Sequence, residues 1–227
     1  MLTAIIVAGG SSRRMGFDKT FAMLGGQPLV AHTLAAFQEA SCVTEIILVG
    51  QAERRADLQT LIHDRKFTKV QKVVAGGAHR QNSVSAGLDV LGPDARYVAL
   101  QDGARPLVTA RQIQRVFEAA QLHNGATLAA PITDTLKRAG KDFFVCDSID
   151  RHGVYAMQTP QIFLRELLVE AYAFVATQQL SITDEVSAVE HLGRRVFLVP
   201  NDEPNPKITF PGDLVLAETL LTRRAAA

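Results

Sequence analysis

The sequence predicts an α/β protein with a doubly wound, mainly parallel sheet and a protruding β-hairpin arm. Over the first 130 residues, short apolar runs alternate with segments of helical periodicity, which is the pattern of βαβ units and parallel strands. Glycine-rich or polar segments follow several of these runs, as at the ligand-binding edge of such sheets. The alternation stops between Pro131 and Met157, where a hairpin fits the pattern better.

The predicted elements up to residue 130 follow in chain order. Residues 2–8 form a continuous apolar run that ends in two glycines, which is typical of a strand buried on both faces. Pro28 begins the first helix, where proline is accepted in the first turn. The remaining elements are a strand at 45–50, a helix at 53–63, a strand at 70–74, a helix at 81–91, a strand at 97–101, a helix that Thr109 caps and that runs to Leu122, and a strand at 125–130.

The arm is expected at about residues 131–157 of a single domain that covers residues 1–227, with Gly140 and Lys141 at its turn. An isolated hairpin is only marginally stable in water, so we expect this arm to pack against a second subunit. The elements predicted after it are a helix at 164–177, a short helix that begins at Thr183-Asp184-Glu185, a strand at 195–199 and a helix at 213–223.

Charge and composition exclude several classes of partner. The chain has 24 Lys and Arg against 23 Asp and Glu, a formal charge of +1, which argues against a nucleic-acid-binding protein. Its apolar runs are too short to span a membrane, and its apolar start lacks the basic leader of a signal peptide. Cys42 and Cys146 make no disulfide scaffold. We therefore expect a cytoplasmic protein without nucleic-acid or membrane partners.

A glycine-rich loop follows the first predicted strand. Ala8, Gly9 and Gly10 bring backbone N–H groups to a point where they can surround an anion, and Arg14 and Lys19 add positive charge. The spacing matches neither the dinucleotide-binding fingerprint nor the P-loop. A plain glycine turn with solvated charges is the alternative, but the three cations Arg13, Arg14 and Lys19 close to the glycines favour phosphate binding.

A second glycine pair precedes the predicted helix at 81–91. Gly77, Arg80 and Ser83 suit the base, ribose or phosphate of a nucleotide at a helix start. An ordinary helix cap formed by Asn82 or Ser83 is an equally good interpretation of this segment.

A carboxylate closes the fourth predicted strand. Asp102 is placed to bind Mg²⁺ or a substrate hydroxyl, and Arg105 follows within the same predicted crevice. The alternative is an ordinary Asp-Gly turn.

The second half of the chain carries further polar segments with candidate binding residues. Thr183 is as well explained as a helix cap as it is as a ligand contact, whereas Lys207 precedes an apolar stretch that would place it near the crevice. The remaining candidates from these segments are Thr135, Arg151 and Thr159.

Together, these segments resemble the 2-C-methyl-D-erythritol 4-phosphate cytidylyltransferase family over nearly the whole chain. The segments that carry the resemblance are Ala8-Gly9-Gly10 through Lys19, Gly76-Gly77 to Ser83, Asp102 to Pro106, Asp134 to Arg138, Thr159-Pro160-Gln161, Thr183-Asp184-Glu185 and Asn205 to Thr209. The resemblance implies a dimer of Rossmann-like nucleotidyltransferase domains with interlocked arms, which uses CTP and Mg²⁺ to transfer CMP to the polyol phosphate and releases pyrophosphate.

The resemblance also implies roles for individual residues. Arg14 and Lys19 would act on the triphosphate and Lys207 on the attacking phosphate, with Asp102 as a further catalytic residue and a possible Mg²⁺ ligand, although the metal would be held mainly by the CTP phosphates. The residues implied to bind CTP are Ala8, Gly9, Gly10, Gly77, Arg80 and Ser83. The residues implied to bind the polyol phosphate are Arg105, Thr135, Arg151, Thr159 and Thr183, of which Thr135 and Arg151 would come from the partner's arm.

Two alternatives remain open from the sequence. One is the same reaction on ribitol 5-phosphate, because the motifs of the two activities overlap. The other is a non-catalytic nucleotide-binding module on the same fold. Such a module would be expected to lack Arg14, Lys19 or Asp102, and this chain has all three.

Overall fold

The structure, a computed structural model, describes residues 1–10 and 15–225. The strands within this part of the chain are β1 (Leu2–Val7), β2 (Met23–Leu24), β3 (Gln27–Pro28), β4 (Val43–Gly50), β5 (Val70–Ala75), β6 (Tyr97–Asp102), β7 (Gly125–Pro131), β8 (Leu136–Ala139), β9 (Val145–Ile149), β10 (Tyr155–Leu164) and β11 (Phe197–Pro200). The α-helices are α1 (Leu29–Glu39), α2 (Arg55–Asp64), α3 (Arg80–Leu88), α4 (Ala110–His123), α5 (Arg165–Thr177), α6 (Glu185–His191) and α7 (Pro211–Ala225).

Seven of the strands form one sheet in the order β11-β7-β10-β6-β1-β4-β5. β1 lies between β4 and β6 and is parallel to both, and β7 is parallel to β11. β10 is antiparallel to its neighbours β6 and β7. The mainly parallel α/β sheet that the sequence predicts is therefore confirmed.

Both faces of the sheet are covered by helices, which explains why the first strand reads as a continuous apolar run. In β1, Ala4 and Ile6 pack into one hydrophobic cluster with side chains of α1 and α4, whereas Ile5 packs into a second cluster with side chains of α3, α5 and α6. All three residues are fully buried. No helix in the described part of the chain is long and apolar enough to cross a membrane.

β10 is the one strand of the large sheet that the sequence does not predict. Pro160 lies within it, and a proline normally argues against a strand that has partners on both sides because it has no N–H to donate. The strand accommodates Pro160 through a register shift between Met157 and Gln161 in its pairing with β7. Consequently, β7 is separated from β6 by an antiparallel strand from much later in the chain.

The predicted hairpin is present as β8 and β9, which pair antiparallel through a turn that includes Gly140. The hairpin is shorter than the arm predicted at about residues 131–157, because Pro131 and Tyr155 still pair with each other in the large sheet. The side chains near the tip are exposed, including that of Phe143 at 91%. The hairpin therefore contributes little to the core of its own chain.

Candidate active site

The carboxyl ends of β1 and β6 border a cavity of about 630 Å³. Gly103, directly after β6, donates its N–H to the carbonyl of Val7 at 2.9 Å. A Cβ on Gly103 would lie 3.1 Å from both the Val7 carbonyl oxygen and the Ala8 Cβ. A side chain at position 103 would therefore require the end of β1 to move by a few tenths of an ångström.

The predicted CTP-binding residues Ala8, Gly9, Gly10, Gly77, Arg80 and Ser83 all line this cavity. The Ser83 hydroxyl accepts a hydrogen bond from the Gly77 N–H at 3.2 Å, so the helix α3 holds the glycine loop in place. The N-terminal cap of α3 is formed by His79 with Asn82, and Ser83 lies within the helix. Of the two sequence interpretations, a capping role therefore belongs to Asn82, while Ser83 supports the loop.

Lys19 also faces the cavity. Its segment forms a one-turn 3-10 helix that Asp18 caps by accepting from the Thr20 N–H, while the other carboxylate oxygen of Asp18 binds Arg54 at 2.9 Å. Lys19 Nζ donates to the carbonyl of Ile208 at 3.2 Å, which joins the first loop to the segment after Lys207. Arg14, the other predicted triphosphate residue, lies outside the described residues.

Asp102 is the centre of a charged cluster at the end of β6. Its Oδ1 lies 3.1 Å from Arg80 Nε, and its Oδ2 lies 2.9 Å from Lys207 Nζ and 3.5 Å from Arg105 Nε. The sequence distances between these residues are large, and only the sheet topology brings them together. Three cations therefore surround this carboxylate, and Arg80 is in addition paired with Glu185.

The charges in this cluster shift each other's pKa. Burial alone would raise the pKa of Asp102, but Arg80, Lys207 and Arg105 outweigh it and hold that pKa well below its usual range. Burial lowers the pKa of the Arg105 guanidinium, and Asp102 partly offsets this effect. Asp102 is therefore ionised at any pH at which the protein would work.

The predicted role of Asp102 as a Mg²⁺ ligand does not fit this geometry. Both of its oxygens already contact cations, and it is the one carboxylate among the described residues that line the large cavity. Nor do the described residues contain a cluster of three His, Cys, Asp or Glu side chains that could hold a metal ion. Mg²⁺ usually requires one or two free carboxylates in addition to substrate phosphates.

A second cavity of about 400 Å³ adjoins the first. Arg80, Asp102 and Lys207 line both cavities and thus form a shared wall. The predicted polyol-phosphate residues Arg105, Thr159 and Thr183 line the second cavity. The two cavities therefore provide space for two ligands on opposite sides of one charged wall.

Thr159 and Thr183 are held in different ways. The Thr159 hydroxyl is buried and accepts a hydrogen bond from the backbone N–H of Asp102 at 3.1 Å, so it fixes the backbone of β10 to the end of β6. Thr183 is exposed, and its hydroxyl lies 3.1 Å from that of Ser187. The cap of α6 is formed by Asp184, which accepts from the Ser187 N–H, and not by Thr183 as one sequence interpretation proposed.

Buried amides hold the segment that carries Lys207. Asn205 Nδ2 donates to the carbonyl of Thr159 at 3.0 Å and to Gln158 Oε1 at 3.2 Å. Arg105 donates from Nη1 to the Asn205 carbonyl at 2.7 Å. These contacts fix the segment to β10, and they explain how Lys207 reaches Asp102 from outside the sheet.

Thr135 and Arg151 do not meet the other predicted site residues within one chain. Both are exposed near the base of the hairpin, where an Arg151 guanidinium N–H donates to the Thr133 carbonyl. Neither residue lines either of the two cavities. Their contribution from a partner's arm remains a prediction.

Sequence reasoning assigned no function to several polar residues that organise the site. Glu185 is fully buried and binds Arg80 in a bidentate ion pair, while the Tyr172 hydroxyl donates to the same carboxylate. Gln161 Oε1 accepts from the N–H groups of Glu185 and Val186 at the start of α6. The sequence indicated a role for Glu185 only through its place in the Thr183-Asp184-Glu185 segment, and nothing in the sequence indicated a role for Tyr172.

Comparisons with known proteins agree with this geometry. The sequence model of the IspD family, described as 2-C-methyl-D-erythritol 4-phosphate cytidylyltransferase, matches residues 2–223. The protein of that name from Caldanaerobacter subterraneus is 39% identical over 225 residues, which cover 98% of this chain and 99% of the relative. The one from Dehalococcoides mccartyi is 39% identical over 221 residues, covering 97% and 96%.

Solved structures give the same result for the fold. The 4-diphosphocytidyl-2C-methyl-D-erythritol synthase of Anaerococcus prevotii superposes with a TM-score of 0.87 at 27% identity, covering 98% of this chain and 96% of that one. The 2-C-methyl-D-erythritol 4-phosphate cytidylyltransferase of Thermus thermophilus gives 0.82 at 31% identity, covering 98% and 100%. From its sequence over nearly its full length and from its fold, the chain belongs to the 2-C-methyl-D-erythritol 4-phosphate cytidylyltransferase family.

Proposed function

We propose that the chain transfers CMP from CTP to 2-C-methyl-D-erythritol 4-phosphate, which forms 4-diphosphocytidyl-2-C-methyl-D-erythritol and pyrophosphate for isoprenoid biosynthesis. The observation that carries this proposal is the charged wall of Arg80, Asp102 and Lys207 between two cavities. One cavity is bordered by glycine loops that suit a nucleotide, and the other by hydroxyl and guanidinium groups that suit a polyol phosphate. Membership of the family supports the identity of both substrates.

The reaction needs no nucleophile from the protein. An oxygen of the acceptor phosphate attacks the α-phosphorus of CTP, a new P–O bond forms, and the bond to the β-phosphate breaks as pyrophosphate leaves. Two anions must approach each other, so in-line positioning and charge neutralisation supply most of the catalysis. Lys19 lies on the nucleotide side of the crevice and Lys207 at the shared wall, where each can neutralise one of the two reactants.

Asp102 has a different task in this proposal. Its carboxylate binds Lys207 and Arg105 and thereby fixes two cations that would otherwise repel each other. It remains ionised because its pKa is held low by the same cations and by Arg80. A hydroxyl of the acceptor can donate to a carboxylate in this position, which would orient the phosphate towards the nucleotide.

Three further expectations belong to the proposal. Mg²⁺ would accompany the phosphates of CTP and neutralise part of their charge, because the described residues provide no ligand set of their own. The chain would form a homodimer through the hairpin, in which Arg151 and Thr135 complete the partner's second cavity. A cytoplasmic location agrees with two free cysteines.

Pyrophosphate release tests the proposal. The protein would be incubated with Mg²⁺, each of the four ribonucleoside triphosphates in turn, and either 2-C-methyl-D-erythritol 4-phosphate or ribitol 5-phosphate. We expect release only when CTP and methylerythritol phosphate are both present. Faster release with ribitol 5-phosphate would replace the proposed acceptor, and no release with any pair would support a non-catalytic nucleotide-binding module.

A further inference from the structure

A buried chain of charged and polar groups leads from the helices behind the sheet to the shared wall of the two cavities. The Tyr172 hydroxyl on α5 donates to Glu185 Oε1 at 2.9 Å. Glu185 at the start of α6 receives Arg80 Nη1 at 2.6 Å and Nη2 at 2.9 Å. Arg80 then uses its remaining nitrogen, Nε, to bind Asp102 Oδ1 at 3.1 Å. Every nitrogen of the Arg80 guanidinium is therefore engaged.

Glu185 itself is too deeply placed to touch a substrate. Its side chain is fully buried, and it lines neither of the two cavities. Arg80, by contrast, lines both and keeps a quarter of its side chain exposed. Any influence of Glu185 on the reaction must therefore pass through Arg80.

The cost of burying Glu185 indicates that this arrangement holds a particular geometry. A buried carboxylate is costly unless a cation and further hydrogen bonds compensate it, and even a compensated pair often stabilises a fold no more than apolar residues of similar volume would. Here the compensation is extensive, because burial and Glu185 together also raise the pKa of Tyr172 and keep its hydroxyl as a donor. A planar guanidinium held at both ends cannot rotate, so its Nε–H points at Asp102.

We propose that Glu185, supported by Tyr172, is a positioning residue that locks Arg80 against Asp102 and so sets the place of the acceptor phosphate relative to CTP. The proposal rests on the cytidylyltransferase function proposed above. Arg80, which the family resemblance implies to bind CTP, then serves mainly to orient the shared wall. CTP binding on its own should thus depend little on Glu185.

The test compares Glu185→Gln with Glu45→Gln, a matched control at the opposite end of the sheet, where Glu45 pairs with Lys72 at 3.8 Å. For Glu185→Gln we expect kcat/KM for the acceptor to fall by about 10–100-fold, as for a misplaced reactant. CTP affinity, measured by titration calorimetry without acceptor, is expected to stay within about twofold. The Glu45→Gln variant is expected to match the unaltered chain in both measurements.

A double-mutant cycle separates positioning from a structural role. If Glu185 acts through Arg80, the variant Arg80→Gln/Glu185→Gln is no less active than Arg80→Gln alone. Once Arg80 is replaced, Glu185 has no guanidinium left to orient. It is also expected to melt at a higher temperature than either single variant, since neither buried charge is left unpaired. Losses that multiply in the double variant, or a fall in CTP affinity as large as the fall in acceptor kcat/KM, would overturn the proposal.

A readout without turnover keeps this test independent of the proposed function. The Nε–H of Arg80 gives a nitrogen–proton NMR signal that can be assigned by its loss in Arg80→Gln. We expect this proton to exchange with water at least about tenfold faster in Glu185→Gln than in the unaltered chain or in Glu45→Gln. Unchanged exchange would overturn the proposal. An unaltered chain without turnover would instead contradict the proposed function, and the exchange rates would still decide the role of Glu185.

Tyr172→Phe provides the test if Glu185→Gln does not fold, because it removes one hydroxyl and leaves the ion pair intact. We expect a smaller loss of acceptor kcat/KM, of about two- to fivefold, with CTP affinity unchanged. Equal acceptor kcat/KM and equal Arg80 exchange in this variant and the unaltered chain would contradict the supporting role given to Tyr172.

Discussion

At the scale of single residues, the site depends on cations that other groups of the protein hold in place before a substrate binds. Lys207 and Arg105 share one carboxylate, that of Asp102, while Lys19 reaches a backbone carbonyl across the crevice. Such groups are already oriented when an anionic substrate arrives, so little reorganisation is needed during the reaction.

Replacing Lys19 by alanine is expected to lower kcat by about 10²–10³-fold, because a donor aimed at the developing charge is lost. The thermal midpoint is expected to change little, since the Lys19 side chain lies at the surface of a cavity and not in the core. Arg55→Ala, which removes a cation from the exposed face of α2, is the control. Turnover close to normal in Lys19→Ala would contradict the role assigned to this lysine.

Asp102→Asn is expected to lower the free energy of unfolding by about 3–5 kcal/mol at pH 7, because three cations lose a shared, nearly buried partner. The pKa of Asp102 is lower in the folded protein than its unfolded value of about 3.9. Its contribution is therefore complete above about pH 4 and is lost as the pH falls through the lower, folded pKa.

Urea unfolding of the unaltered chain and Asp102→Asn between pH 8 and pH 3 measures this dependence. The difference between the two proteins is expected to stay constant from pH 8 to about pH 5 and to shrink only below about pH 4. A difference that already fades between pH 7 and pH 5 would mean that the pKa of Asp102 is not lowered.

At the scale of elements, close approaches between loops decide where the site lies. Gly103 allows the loop after β6 to approach the end of β1, and a Cβ there would crowd the backbone of Val7 and Ala8. Gly103→Ala is thus expected to weaken CTP binding by about tenfold and to destabilise the fold by about 1–3 kcal/mol. Calorimetric titration with CTP and thermal unfolding measure the two effects.

Gly212→Ala is the control for this substitution, because a Cβ at Gly212 meets no atom within 4 Å. Gly212 lies in α7, so the change to alanine is expected to leave CTP affinity unaltered and to raise stability slightly. If Gly103→Ala behaves in the same way, the close approach of the two loops is not needed for the nucleotide site.

The elements also show which parts of the fold can be read from a sequence. β1, β4 and β6 are predictable because both faces of each are buried, which produces continuous apolar runs. β10 is not, because Pro160 interrupts its pattern and its partners on both sides are set by long-range packing. The hairpin is predictable from its turn, whereas its base is not, since pairing of Pro131 with Tyr155 continues the main sheet.

The residues of the candidate site are likewise predictable from the sequence only in part. Glycine loops and charged residues directly after parallel strands were found from the sequence, because the carboxyl ends of such strands meet at one edge of the sheet. The pairing of Arg80 with Glu185 was not found, because the two residues are 105 positions apart and meet only where the first turns of α3 and α6 come together in the folded chain. Local sequence patterns cannot predict a contact between residues that are so far apart in the chain.

At the scale of the whole molecule, a net charge of +1 conceals an uneven distribution. Arg80, Arg105 and Lys207 gather around one carboxylate at the crevice. Many acidic residues lie instead on helices, such as Glu39 at the end of α1 and Glu170 on α5. A nearly neutral protein can therefore hold a nucleotide cavity in which Lys19, Arg80 and Lys207 outnumber the one carboxylate among its described lining residues.

The hairpin provides a prediction about assembly. Phe143 and Phe144 are 91% and 76% exposed at its tip, more than is usual for large apolar side chains. Replacing both by serine is expected to weaken the proposed dimer by at least about tenfold, as measured by sedimentation equilibrium. The matched control is Leu122→Ser, at an exposed apolar position on α4. An unaltered chain that is monomeric at micromolar concentration would contradict the proposed dimer.

We expect an acceptor phosphate, held at the wall of Arg80, Asp102 and Lys207, to attack the α-phosphorus of CTP directly. Phosphorus NMR of the protein with Mg²⁺, CTP and 2-C-methyl-D-erythritol 4-phosphate follows this step. We expect two mutually coupled diphosphate signals that grow at the same rate as pyrophosphate. Conversion of CTP to CMP without the coupled signals, or coupled signals that appear only with ribitol 5-phosphate, would contradict it.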